Sequence, residues 1–192
     1  MNLAADLCRL RELTKTIWGR GTRPLEHKYK PMAAVDYFLK INGIPGESTD
    51  DKHKDEIDIE SWSWGQTNSG SHAYGGGGGA GKVAMEDFNF TMRVNKASPK
   101  LFLACATGQH IPDALLICRK AGKQQQEYLK MKFTDLLVSS YKTGGSPSDV
   151  VPVDKIAFNF AKLEISYAAQ KKDGSLDSPV IQNYDLKANK GG

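Results

Sequence analysis

Segments in which apolar and polar residues alternate recur along most of the chain, and turn residues separate them. The clearest of these segments is MEDFNFTMRV, residues 85–94. Because successive side chains of a strand point to opposite faces, the alternation predicts a strand with one buried face. The residues predicted to point inward are Phe88, Phe90, Met92 and Val94.

Six further segments, rich in apolar, β-branched and aromatic residues, predict strands in the same way. They are AVDYFLKI (34–41), ALLICRKAG (114–122), EYLKMKF (127–133), DLLVSSYKT (135–143), KIAFNFAKLEISY (155–167) and VIQNYDL (180–186). In the fifth segment the apolar residues change from even to odd positions after Phe160. A β-bulge near Ala161 and Lys162 would produce this change, because a bulge adds one residue to one strand of a pair.

A single short helix is predicted for KASPKLFLACATG, residues 96–108. Ser98 suits the N-cap, Pro99 the first helical position, and Gly108 the glycine that ends a helix. The residues spaced to form the buried face are Leu101, Phe102 and Cys105. With short strands and frequent turn signals elsewhere, the chain is predicted to be a mostly β, antiparallel sandwich or barrel with one short helix.

The segment IDIESWSWG, residues 57–65, alternates without forming an apolar face. One predicted face carries Ile57, Ile59, Ser61 and Ser63, and the other carries Asp58, Glu60, Trp62 and Trp64. Tryptophan suits places that are half apolar and half wet. The segment is therefore expected to have two neighbours along its length, with one end against the core and the other near a subunit boundary or a cavity.

Length and charge exclude several classes of protein. The chain has 192 residues, which suits one domain with a core that needs neither disulfides nor metals. Of its 26 basic and 22 acidic residues, residues 1–31 hold seven and three, so the remainder holds 19 of each sign. A neutral body argues against nucleic-acid binding. No apolar run approaches the roughly 18 residues of a membrane helix, so no membrane insertion is predicted.

The cysteines and histidines show no ligand spacing. Cys8, Cys105 and Cys118 are an odd number without a CxxC pair, which implies neither a disulfide framework nor a zinc site. The four histidines are scattered through polar segments, and none stands at a ligand spacing from another histidine or a cysteine. The sequence therefore predicts no metal, no cofactor and no cysteine nucleophile.

Residues 1–31 differ from the rest of the chain. A short helical period of leucines is followed by the break GRGTRP, and charged residues interrupt any signal-peptide core. We interpret residues 1–31 as an extension, with Met32 as a second possible start, and residues 32–192 as the folded domain. The alternative for residues 1–31 is a basic amphipathic helix that binds a membrane or a partner.

The glycine-rich stretch before residue 85 resembles a phosphate-binding loop in part. Gly76, Gly81 and Lys82 follow the G-x-x-x-x-G-K spacing, but Val83 stands where a hydroxyl residue would bind magnesium. The residues after Lys82 also alternate as a strand does, whereas a P-loop opens a helix. A flexible projecting loop is therefore favoured over a nucleotide site. The polar segment GESTDDKHKDE, residues 46–56, is likewise expected to be an exposed loop.

Several segments together resemble one known family. They are FLKINGIPGES, SWSWG, the GGGGGAGKV loop, DFNFT, the SPKLF helix, YLKMKF, VSSY, TGGS and the late KLEISY strand. In this order and spacing, from Met32 to about Leu186, they resemble the hemolysin-coregulated protein family, the tube component of the bacterial type VI secretion system. Residues 1–31 lie outside the resemblance.

The resemblance implies a fold and an assembly. The family fold is a small β-barrel of two packed antiparallel sheets with one flanking helix, and its members form hexameric rings that stack into a hollow tube. By this resemblance Ser63 would face the lumen, where small effector proteins are held. Candidate contacts between rings would lie in two loops, at Glu47, Ser48, Asp50, Gly75, Gly76, Gly77 and Lys82.

The implied function is mechanical and involves no catalysis. The tube would assemble in the cytoplasm with sheath and spike components and then leave, with its cargo, for the medium or a target cell without a signal peptide. Two other functions stay open at this point. One is a nucleotide-dependent or hydrolytic enzyme that uses Lys82 and the glycine loop, and the other is a non-secretory β-barrel binding module.

Overall fold

The computed structural model describes residues 35–68, 83–120 and 125–192. Residues 1–31 and the loop candidates Gly75, Gly76, Gly77 and Lys82 lie outside these ranges. The elements in chain order are β1 (Val35–Ile41), β2 (Ile57–Asp58), β3 (Ser61–Ser63), β4 (Gln66–Asn68), β5 (Val83–Met85), β6 (Phe88–Arg93), α1 (Ser98–Thr107), β7 (His110–Lys120), β8 (Glu127–Gly144), β9 (Val153–Tyr167), β10 (Val180–Asp185) and β11 (Lys190–Gly191). The predicted class is confirmed, with antiparallel strands and one short helix in the described ranges.

The strands form one large sheet and a small ribbon. Nine strands pair in one sheet, and β4 and β5 form the separate two-stranded ribbon. The long strand β9 pairs with β8 along one edge, while its other edge pairs with β6 near its start and with β10 near its end. Two separate packed sheets were expected from the resemblance. Nine of the described strands pair in one continuous sheet instead, because β9 is long enough to pair with both β6 and β10 along one edge.

The segment that contains β2 and β3 pairs with two strands that are far apart in the order of the sheet, β1 and β6. In that segment β2 pairs with β1, and β3 pairs with β6. Between them the Ile59 amide donates to the Tyr37 carbonyl at 3.1 Å and the Glu60 amide donates to the Thr91 carbonyl at 2.8 Å. Hydrogen bonds therefore link β1 through β7, β8, β9 and β6 to β3, and the chain itself connects β3 with β2, which pairs with β1.

The core is built around aromatic rings on β6, β8 and β9. The Phe88 ring centroid lies 4.8 Å from that of Phe133 and 5.0 Å from that of Phe158, within the range of favourable aromatic pairs. Phe88, Phe90 and Met92 are buried as predicted. The prediction for Val94 is wrong, since it is 38% exposed. Val94 follows the last residue of β6, where pairing with β9 ends. Beyond that point the alternation of the strand no longer determines which side chains are buried.

The segment 57–65 has an apolar face after all. Ile57 and Ile59 are buried, and Trp62 and Trp64 pack against the same core, whereas Ser61 and Ser63 are exposed. Strict alternation, which placed the serines beside the isoleucines, was wrong. The chain changes partner from β1 to β6 at Ile59 and Glu60, and this break shifts the parity by one residue. The expectation of two neighbours along the segment is confirmed by the pairings.

The parity change in β9 is real, but no register shift accompanies it. Phe133 of β8 pairs with Leu163 of β9, and Leu136 pairs with Phe160, and all four are buried. Between these two pairs the buried positions change from odd to even numbers in β8 and from even to odd numbers in β9, while the register stays the same. The predicted β-bulge near Ala161 and Lys162, which would add one residue to β9 alone, is therefore not observed. The register shift between β8 and β9 lies in β8, between Val138 and Ser140. Residues 127–144, predicted as two strands, form the single strand β8.

The helix α1 follows the predicted bounds but not the predicted face. Gly108 has the left-handed backbone expected at the end of a helix, with φ of 63°. Ser98 is the first helical residue and Ala97 is the N-cap, one residue earlier than predicted. The buried residues of α1 are Ser98, Leu101 and Ala104, whereas Phe102 is 57% exposed. The prediction of Leu101 was therefore correct, whereas the large side chain of Phe102 was wrongly assigned to the buried face. No helix in the described ranges has the length and apolar character needed to cross a membrane.

Candidate functional site

A polar surface covers the outer side of the sheet where β3, β6, β9 and β8 lie side by side. Residues paired directly across antiparallel strands point to the same face. The strand pairings give two rows of such residues. The first row is Ser63, Asn89, Ala157 and Ser140, and the second row is Ser61, Thr91, Lys155 and Lys142. We call this surface the two-row face.

The predicted residue Ser63 lies at the end of the first row and is exposed. Residues of both rows line an open depression of about 320 Å³. In the second row the hydroxyl oxygens of Ser61 and Thr91 are 2.6 Å apart and share a hydrogen bond. The side chains between the rows, including Phe90 and Ile156, point to the opposite side and are buried in the core. The sheet beneath the depression is therefore rigidly packed.

The chemistry of the two-row face suits recognition by hydrogen bonds and charge. Its polar groups are hydroxyls, one carboxamide and two ammonium groups, and the depression is lined by no histidine, cysteine or carboxylate among the described residues. Burial raises the pKa of the Cys118 thiol, which lies in the core, to about 12. Within residues 35–68, 83–120 and 125–192, no three His, Cys, Asp or Glu side chains converge as metal ligands would.

The 46–56 loop, which contains three predicted contact residues, is closed by its own hydrogen bonds. The Gly46 amide donates to the Asp55 carbonyl at 2.8 Å, and the Ser48 amide donates to the Glu56 carbonyl at 3.0 Å. Ser48 is 5% exposed, so its side chain lies inside the subunit. The Glu47 carboxylate accepts a hydrogen bond from the Lys96 amide at 2.8 Å. The loop is thus more ordered and more buried than the exposed polar loop expected.

Asp50 joins this loop to the sheet through Arg119 of β7. Arg119 is 3% exposed and donates to Asp50 at 2.7 Å and to Asp36 of β1 at 2.9 Å. Its guanidinium also lies 4.7 Å from the centre of the Phe38 ring. The hydrogen bond from Arg119 lowers the pKa of Asp50 to about 2. Because these contacts are internal, Asp50 helps to hold the loop on its own subunit.

His53, in the same loop, also contacts residues of two strands, Phe38 of β1 and Glu127 of β8. Its ring is 3% exposed and stacks on Phe38, with ring centroids 4.2 Å apart. Its Nδ1 is 3.0 Å from a Glu56 carboxylate oxygen, and its Nε2 is 3.4 Å from a Glu127 carboxylate oxygen. This arrangement was not visible in the sequence, where His53 stands in a run of charged residues.

The glycine loop begins and ends at the β4–β5 ribbon, where Asn68 pairs with Val83. Val83 opens β5, so a strand follows Lys82 as the alternation predicted. A P-loop requires a helix at this point, with its N-terminus facing the phosphates. The strand that begins at Val83 therefore argues against a nucleotide site, and the glycine loop itself lies outside the described residues.

Sequence reasoning named Ser63 as a candidate and did not identify the residues that lie beside it. The alternation of β6 already put Asn89 and Thr91 on its outward face. No sequence pattern predicts the register that aligns β3, β6, β9 and β8, because pairing between distant strands depends on the whole sheet. Lys142 and Lys155 could not be assigned to the site without that register.

Comparison with known proteins shows the family. A family model described as type VI secretion system effector, Hcp, matches residues 38–167. The chain is 48% identical over 158 residues to protein hcp1 of Pseudomonas aeruginosa, an alignment that covers 81% of this chain and 98% of that relative. The family match spans every residue of the two-row face.

Solved structures agree with the sequence match. The crystal structure of Hcp1 from Salmonella typhimurium has a TM-score of 0.68 at 38% identity, over 84% of this chain and 100% of that chain. A structure of a type six secretion system protein has a TM-score of 0.78 at 29% identity, over 83% of this chain and 100% of that chain. Sequence and fold therefore coincide over the same region, and the chain belongs to the Hcp family of type VI secretion system proteins.

Proposed function

We propose that this chain is a structural subunit of the type VI secretion tube, which forms hexameric rings that stack into a hollow tube and hold effector proteins in the lumen. The observation that carries the proposal is the family match across residues 38–167 together with 98% coverage of the Pseudomonas aeruginosa relative. The fold contributes a continuous antiparallel sheet whose two-row face is polar and open. The protein acts by assembly and binding, without catalysis.

The two-row face is the surface that we assign to the lumen. A tube that carries folded proteins needs a wall that is polar enough to stay wetted and rigid enough to keep its shape. The two-row face combines hydroxyl and amide groups on the outside with buried aromatic residues beneath. Interfaces of this kind hold a partner through exchangeable hydrogen bonds and water, which suits cargo that is later released.

The loops are the surfaces that we assign to contacts between rings. Glu47 is exposed in the 46–56 loop, which Asp50 holds on its own subunit through Arg119, and the β4–β5 ribbon leads into the glycine loop. The buried side chain of Ser48 supports the 46–56 loop from within. Stacked rings would meet sheath and spike components during assembly in the cytoplasm and would then be exported with their cargo.

Substitution of Ser63 tests the lumen assignment. Ser63→Glu places a bulky anion at the end of the first row while leaving the core intact, so we expect rings to form and cargo retention to fall severalfold. The measurement is quantitative mass spectrometry of proteins that co-purify with rings of confirmed size. Ser178→Glu, a change of the same kind at an exposed serine outside the two-row face, is the matched control. Loss of the ring itself in Ser63→Glu would show that Ser63 faces another subunit instead.

A further inference from the structure

Two lysines face each other in the second row of the two-row face. Lys142 of β8 pairs directly with Lys155 of β9, and both side chains are exposed. Like charges directly opposite on neighbouring strands destabilise the pairing. Within residues 35–68, 83–120 and 125–192, neither lysine forms an ion pair.

The carboxylates near the two-row face are engaged elsewhere. Glu60 pairs with Arg93 at 2.9 Å, and the Asp87 carboxylate accepts a hydrogen bond from Ser139. Asp154, although next to Lys155 in β9, is fully buried on the opposite face of the strand. The described side chains that line the depression include the two lysines and no carboxylate, so the depression is a local site of positive charge.

Three other strand lysines have acidic neighbours, whereas Lys40 pairs with Leu115 and Lys120 with Val35. Lys132 of β8 pairs across the strands with Glu164, and Lys162 of β9 pairs with Asp185. Lys130 forms an ion pair with Glu127 at 2.8 Å. Lys142 and Lys155 differ from all of these lysines because they lie directly opposite each other, an arrangement that costs stability. A surface that gives up stability in this way is typical of a binding site.

We propose that Lys142 and Lys155 bind acidic side chains on the surface of the carried protein, with the carboxylates between the two ammonium groups. Hydroxyl groups of Ser61 and Thr91 and the carboxamide of Asn89 flank this position in the rows. The identification of the ligand as cargo rests on the proposed lumen function, whereas the preference for carboxylates rests on the lysine pair. Six copies in a ring would add their contributions, so weak contacts at each copy suffice for retention.

A protein partner fits this site better than a nucleic acid. Single-stranded nucleic acids are bound by grooves that combine many cations with exposed aromatic rings on which bases stack. The two-row face offers two lysines. Of the two aromatic residues at the depression, Phe90 is buried, and Trp62 is half-buried and packs against the core, where it stacks on Phe88. Residues 32–192 also carry equal numbers of basic and acidic side chains.

Binding of defined peptides by the full chain tests the inference. We expect a fluorescein-labelled polyglutamate peptide to bind in low salt and to be released as salt screens the charges, and a polylysine peptide of equal length not to bind. In Lys142→Gln/Lys155→Gln we expect polyglutamate affinity to fall about tenfold, which is roughly 1.4 kcal/mol. The matched control is Lys172→Gln/Lys190→Gln, which removes the same charge at two exposed positions outside the depression.

A charge reversal separates loss of the site from loss of the fold. Lys142→Glu creates an opposite-charge pair with Lys155, so we expect an equal or higher thermal midpoint together with lost polyglutamate binding. Equal binding by the wild type and the double glutamine variant would overturn the inference, as would an equal loss in the control. Tighter binding of an oligonucleotide than of polyglutamate, lost with the same lysines, would overturn it in favour of a phosphate ligand.

The state of assembly is measured on the same samples by native mass spectrometry. Rings that form but do not bind polyglutamate would overturn this inference and leave the proposed function standing. Polyglutamate binding that depends on the two lysines, in a protein that forms no ring, would support the carboxylate site and overturn the tube function.

Discussion

Arg119 connects three parts of the chain through one buried guanidinium. It reaches Asp36 on β1 and Asp50 in the 46–56 loop, and it packs over Phe38. Removing the buried guanidinium leaves the partly exposed carboxylates of Asp36 and Asp50 without their partner, so Arg119→Met is predicted to lower the free energy of unfolding by about 2 kcal/mol. Urea denaturation measures the loss.

The control for Arg119 is an ion pair of the same type on the surface. Arg93 and Glu60 are 2.9 Å apart, and both are exposed. Exposed pairs contribute little, so Arg93→Met is expected to cost less than about 1 kcal/mol. Equal losses in the two variants would contradict the structural role assigned to Arg119.

The pH dependence of stability at Asp50 has a definite sign. Its pKa is about 2 in the folded protein, below the ordinary 3.8, because the carboxylate accepts a hydrogen bond from Arg119. The pair therefore stabilises the fold fully above the ordinary pKa, and this contribution is lost as the pH falls from about 4 towards 2. We expect the gap in urea midpoint between the wild type and Asp50→Asn to be constant near neutral pH and to shrink below about pH 4. A gap that does not change with acidification would contradict this assignment.

Individual side chains show that sequence patterns did not always predict which residues are exposed. Ser63 is exposed beside Trp62, which packs against the core, although strict alternation gave its segment the wrong faces. Its position in a lumen stays a prediction. Val94 and Phe102 were predicted to be buried from spacing and are exposed. Both lie where an element ends or turns away from the core, and the neighbours that decide burial there come from distant parts of the chain.

At the scale of elements, the 46–56 loop depends on one glycine. A Cβ on Gly46 would lie 2.2 Å from the Glu56 carbonyl oxygen, a backbone atom that cannot move aside without opening the loop. Gly46→Ala is therefore predicted to cost about 2 kcal/mol of stability and to expose the loop to proteolysis. Thermal unfolding and limited proteolysis measure the two effects.

Gly144 provides the control for Gly46. It lies at the end of β8, and nothing lies within 4 Å of the position that a Cβ would take there. Gly144→Ala is therefore expected to change stability by less than about 0.5 kcal/mol. If Gly46→Ala were as stable as Gly144→Ala and equally resistant to protease, the close approach of Gly46 to Glu56 would not hold in solution.

The positions of most strands could be predicted from the sequence, whereas the places where one strand ends or continues into the next could not. Alternation identified β1, β6, β7, β9 and β10, and cap residues identified α1. The continuity of β8 was missed because its parity changes after Phe133, which looks like a break when one strand is considered alone. The matching change in β9 makes the pair regular, and only the pairing of the two strands shows it.

At the scale of the whole molecule, the sequence resemblance identified the family that the comparisons show. The order of short motifs along the chain carried that information, since no single motif was specific. The two-row face emerged only from the structure, because its residues come from four strands that are far apart in sequence. Residues 1–31 lie outside the described ranges, and their interpretation as an extension stays a prediction.

The assembly of rings is the central claim, and native mass spectrometry of the full chain tests it most directly. We predict a dominant species with six times the 21.1 kDa mass of one chain, because the proposed tube is built from hexameric rings. Negative-stain electron microscopy of the same sample should show rings with a central opening. A strict monomer at high protein concentration, with no ring in the images, would contradict the account.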